Sequence, residues 1–212
     1  MTKTIKKDRE IILALGIGLV LAIAGTVGMR NTIPLINPAS AATETMAISA
    51  TIQQWLTFSA STTTIPMTPD LVTIAGATNI ASTTDITLTS GTNSTNGYSI
   101  DVRSVSNAGL CHSGGCGTHN INSGTSTPLV AGTDGYGMQA TTTDSDVTIH
   151  SNYDYWGNDN VGGITVATKD LADTSSPSTG DETSIKFKAA AANTDPDGTY
   201  SDSVYVICLA NP

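Results

Sequence analysis

Positive charge is what this chain has least of. Beyond residue 41 its basic residues are Arg103, Lys169, Lys186 and Lys188, against Glu44, Glu182 and fourteen aspartates, a net charge of −12. Phosphate recognition needs clustered Lys and Arg, so nucleic acid is excluded as an expected partner. Glutamate is nearly missing, aromatics make up only 5% of the residues, and Thr, Ser, Gly and Asn abound. No apolar stripe is sustained at helical spacing, so a helical fold is excluded, and the composition is that of an extracellular β protein rather than of a disordered tail. Cysteine and histidine occur three times each. With no H-E-x-x-H and no G-x-S-x-G, the local signatures of zinc peptidases and serine hydrolases are lacking.

The acidity itself reads as solubility, and the one ligand it leaves open is a divalent cation such as calcium. Asp144 with Asp146, and Asp195 with Asp197 and Gly198, resemble fragments of calcium loops. Neither has the full ligand spacing, so both are expected to be turns and no cofactor is expected.

Only one long apolar run is present. Lys3, Lys6, Lys7 and Arg9 precede an uncharged stretch from Ile11 to Gly28, and Ala39-Ser40-Ala41 offers the small-x-small pattern of signal-peptidase cleavage. Residues 1–41 are therefore expected to form a helical export signal or, since about 18 apolar residues is the lower limit for spanning, a retained membrane anchor. Contact with a membrane is expected only through that segment. Residues 42–212 are expected to form a single domain outside the cytoplasm, long enough to bury a proper core.

Period-two alternation runs through most of this domain and predicts an all-β, antiparallel β-sandwich. MAISATIQQWLTFSAS reads as one long strand with Ile48, Ala50, Ile52, Leu56 and Phe58 on a common face and Trp55 on the other. LVTIA, DITLT and GYSIDVRS follow, the last with Tyr98, Ile100 and Val102 inward, and TSGTNSTNG reads as a hairpin loop whose Asn96 and Gly97 suit positive φ. PLVA, YGMQA, DVTIH, GGITVA and TSIKFKA are further strands, and LADTSSPSTGDET reads as a long surface connection. In the terminal TYSDSVYVICLA, Val204, Val206 and Cys208 fall on one face and Tyr205, Ile207 and Leu209 on the other. Both faces being apolar, this strand is expected in the interior of the sandwich.

GLCHSGGCGTHN, residues 109–120, concentrates two cysteines and two histidines. Outside the cytoplasm Cys111 and Cys116 are expected to oxidise to a disulfide, with Gly114 and Gly115 supplying the tight reversal; free thiols and a zinc site that adds His119 are the alternatives. Cys208 is then left as a small buried hydrophobe or an intermolecular partner. His150 lies among many Ser and Asp residues, where a coincidental surface histidine outweighs a catalytic base. YDYWGNDN joins Tyr153, Tyr155 and Trp156 to Asn158 and Asp159, flat rings beside hydrogen-bonding groups that suit a glycan or a partner protein, or else a strand end whose Trp packs inward.

The ending YSDSVYVICLANP resembles the C-terminal motif of WxL-type bacterial cell-surface domains. Tyr200, Val204 and Pro212 fall at matching spacings, while Val206 and Cys208 stand where the family has Trp and Leu. The resemblance implies a β-sandwich displayed on a bacterial surface and held non-covalently to the cell wall, with no catalytic residues. Function is accordingly expected to be that of an exported, non-enzymatic surface protein whose partners are cell-wall polysaccharide, peptidoglycan or other surface proteins. The alternative is a homo-oligomeric subunit of an extracellular fibre or pilus assembled by edge-strand exchange.

Overall fold

A computed structural model describes residues 47–74, 77–105, 107–116, 119–124 and 127–212. The expected signal or anchor over 1–41, with Ala39-Ser40-Ala41, lies outside them. The chain divides into Met1–Ala50, of which 47–50 are described and carry no regular secondary structure, and the unit Thr51–Pro212.

The second unit is an all-β antiparallel sandwich with no helix among its described residues. Its first sheet contains β1 (Leu56–Ala60), β2 (Ile80–Ser82), β3 (Ile86–Thr92), β8 (Gly135–Thr142) and β12 (Ser178–Ala190). β12 is the spine. One edge pairs first with β3 and then with β2, the other pairs with β8, and β1 closes the sheet beyond β3. The second sheet runs β14 (Val204–Ala210), β4 (Tyr98–Ser104), β11 (Lys169–Asp173), β9 (Thr148–Ile149). β5 (Gly109–His112), β6 (Asn120–Asn122) and β13 (Tyr200–Ser201) form a small third sheet, and β7 (Thr127–Pro128) pairs with β10 (Asn160–Val161).

Alternation decides which face each strand buries. β12 turns Asp181, Thr183, Ile185, Phe187 and Ala189 inward and leaves Glu182, Ser184, Lys186 and Lys188 outside. β4 turns in Tyr98, Ile100 and Val102, each fully buried, as the sequence predicts. Together with Ile86, Leu88, Met138 and Leu171 they form the core between the sheets.

Several expected elements differ, for identifiable reasons. TSGTNSTNG is not a hairpin loop, because β3 and β4 belong to different sheets and Asn93–Gly97 carries the chain across the sandwich. Of the two residues expected at positive φ, Gly97 has it, at 73°, where a Cβ would collide with the Thr174 carbonyl. LADTSSPSTGDET contains strand at both ends. Gly180, at φ 75°, marks a β-bulge between Thr179 and Asp181, so the glycine that reads as a loop signal lies inside a strand. LVTIA has no strand among its described residues, GGITVA follows β10 rather than forming a strand, and MAISATIQQWLTFSAS pairs only from Leu56.

The terminal strand is the largest correction. Among the described residues β14 pairs only with β4 and is an edge strand, with Tyr205 49% and Leu209 50% exposed. Val204, Val206 and Cys208 do pack on the core, but the outer face is apolar and open, with Tyr205 lying under the Arg103 guanidinium at 4.9 Å. Apolar residues on both faces of a strand do not by themselves require both faces to be covered.

Candidate functional site

At one side of the sandwich β1 and β14 approach each other. Each is the outermost strand of its sheet, so each presents one edge of backbone N–H and C=O groups without a strand partner among the described residues. At one end the gap is narrow, where Gln54 Nε2 donates to the Asn211 carbonyl at 3.5 Å. Toward the other end the sheets separate into a groove of about 980 Å³. Phe58 lines it from β1 and Val204 and Val206 from β14, while Leu88, Ile185 and Phe187 belong to its core side. Apolar core surface is thus reachable from outside along an open seam.

Threonines and four aspartates, Asp70, Asp195, Asp197 and Asp202, line this groove beside its apolar core side. Tyr136 stacks on Phe187, centroids 6.2 Å apart, and burial pushes its phenol well above the usual tyrosine value, with Asp202 adding to the rise. Asp202 accepts from Ser104 Oγ at 2.8 Å through Oδ1, while its Oδ2 is buried without a hydrogen-bond partner. Burial raises its carboxyl above the usual carboxylate range, and the donors from Ser104, Ser203 and Tyr136 partly offset that. At the rim, the Ala192 amide donates to both Asp134 and Asp195 at 2.8 Å, and Asp195 is raised first by burial and then by Asp134. A trough with an apolar core side, polar residues around it and two strand edges suits an extended chain segment.

The expected disulfide is present. Cys111 on β5 is bonded to Cys116, with Cα atoms 4.6 Å apart. The staple shapes a loop that docks on the start of the last strands. His112 pairs in register with Tyr200, its ring meets that tyrosine at 5.1 Å, and its Nε2 lies 3.0 Å from the Asp197 carbonyl. His119 is 6.2 Å from His112, and no group of three or more His, Cys, Asp or Glu able to hold a metal occurs among the described residues. Cys208 is a free, half-buried thiol pushed up to about 11 by burial, with Asp101 adding to the rise.

The aromatic segment is engaged within the chain. Tyr153 is 2% exposed and donates to the Gly163 carbonyl at 3.0 Å, so it is a core residue. Trp156 is half-buried under Lys186, whose Nζ sits 3.7 Å from the ring centroid, and Tyr155 is half-buried beside it. Lys188 binds Asp159 at 2.6 Å and the Asn158 carbonyl at 2.7 Å, and Gln139 donates to that same carbonyl at 2.7 Å. These residues clamp the segment onto β8 and β12. Among the expected calcium fragments, Asp144 accepts from the Glu182 amide at 2.5 Å and Asp195 from Ala192, which are turn and bulge contacts.

The seam joins residues some 150 positions apart, and sequence reasoning missed it. Its signals were present: an exposed Ile48 and Ile52 before β1, and a final strand apolar on both faces. Compared with protein-family models, curated proteins and solved structures, the chain finds no match.

Proposed function

We propose that this chain is an exported, non-enzymatic protein of the bacterial cell surface, associated with the cell wall through binding and not through chemistry. The observation that carries this is the Cys111–Cys116 disulfide in an all-β unit, because such bonds persist in oxidising compartments and are rare in the cytosol. The basic and apolar N-terminal sequence and the WxL-like spacing of Tyr200, Val204 and Pro212 point the same way. Sedimentation of the purified protein with isolated cell walls tests it. Co-sedimentation that free wall polysaccharide competes away is the expected result, and recovery of all protein in the supernatant would refute wall association.

A second reading is favoured by a specific observation: two strand edges without a partner among the described residues, flanking a groove with an apolar core side. Exported strands with free edges pair between chains, which is the basis of extracellular fibres and pili. On this reading the chain is a fibre subunit, and concentration-dependent oligomer ladders by native mass spectrometry are expected.

A further inference from the structure

Residues 47–54, AISATIQQ, carry no charge and place Ile48, Ala50 and Ile52 at period two, with Ile48 94% and Ile52 87% exposed. Two large aliphatic side chains held in water are costly, and their spacing is that of a strand face awaiting a partner. The residues that lead from this segment into β1 are held in line with that strand. The Trp55 amide donates to Asn93 Oδ1 at 2.7 Å, Asn93 Nδ2 donates to the Gln53 carbonyl at 2.8 Å, and Thr92 Oγ1 donates to the Trp55 carbonyl at 2.8 Å.

We propose that the seam is the acceptor for residues 47–54 of a second copy of this chain, which add as a strand to the free edge of β14 with Ile48, Ala50 and Ile52 turned into the groove. The groove is lined by Val204, Tyr205 and Val206 at the start of β14, and Ile48, Ala50 and Ile52 present their side chains at the same period of two. Charge agrees as well, since a donor without carboxylates meets no repulsion from Asp195, Asp197 and Asp202 along the groove. Donor and acceptor are different surfaces, so the contact is head-to-tail and propagates into a linear chain instead of closing as a two-fold dimer. This inference rests on the fibre-subunit reading and names its two halves.

The test uses the exported chain, its Ile52→Asp variant, and a labelled peptide of residues 46–55. Ile52 is exposed, so the variant keeps the thermal midpoint of the parent. The parent is expected to form a ladder of multiples by native mass spectrometry. The variant is expected to run as a monomer at ten times the concentration at which the parent assembles, yet to capture the peptide, and to ignore a peptide with both isoleucines changed to aspartate. Ladders that persist in the variant would overturn the donor assignment and leave the fibre reading standing. A parent that stays monomeric and binds no peptide would overturn both.

Discussion

Opening the Cys111–Cys116 bond removes a covalent closure between residues only five apart in sequence. On the chain-entropy account, a ring this small withdraws about 2 kcal/mol of freedom from the unfolded chain. The ring also shapes the local backbone: Gly115 sits at φ 128°, its amide donates to the His112 carbonyl at 2.9 Å, and His112 then reaches Tyr200 and Asp197. In a unit of this size 2 kcal/mol corresponds to a fall of about 4–8 °C in the thermal midpoint. The parent, melted by calorimetry with and without reductant, should show that difference. A Cys111→Ala, Cys116→Ala variant should melt near the reduced parent and ignore reductant altogether. Cys208 cannot mimic the effect, since it has no disulfide partner. Equal midpoints for oxidised and reduced parent would refute the reasoning, as would a variant that still responds to reductant.

Three further outcomes are expected. Tyr98→Phe deletes the hydroxyl that donates to Asp181 Oδ2 at 3.0 Å inside the core, and should cost about 2 kcal/mol in urea unfolding because the acceptor is left short of a partner. Asp101, Asp195 and Asp202 are all raised, chiefly by burial, so the folded chain holds their protons more tightly than the unfolded chain does. Their contribution is complete below the ordinary aspartate range and lost as pH rises through the raised values, so this part of the urea midpoint should fall as pH rises from about the ordinary aspartate value toward neutrality. Thiol labelling of the oxidised protein should find one group, Cys208, reacting slowly at neutral pH because its thiolate is disfavoured.

Fold class was legible because alternation survives in the strands that bury one face. Tyr98, Ile100 and Val102 read as inward and are, and TSIKFKA reads as a half-solvated strand and is one. The disulfide was legible from compartment and spacing. Sheet membership was not, since Asn93–Gly97 has the chemistry of a hairpin turn whether the next strand pairs with its predecessor or crosses to the other sheet. Position within a sheet was equally hidden. β14 has the apolar content of a central strand but sits at an edge, where Tyr205 and Leu209 stay exposed. The contacts of the aromatic segment were hidden for a related reason: Trp156 and Asp159 meet Lys186 and Lys188, which are remote in sequence and adjacent only once β12 is in place. Composition can propose a surface for glycans, but it cannot show which lysines of another strand contact that surface.

Export to an oxidising surface is the claim on which the rest depends. It is tested most directly by fractionating the producing cells under conditions that trap thiols and measuring the intact mass of this chain in each fraction. Recovery in the surface and wall fraction is expected, with Cys111 and Cys116 joined and a single trapped thiol at Cys208. Recovery in the cytosolic fraction with all three thiols trapped would contradict it.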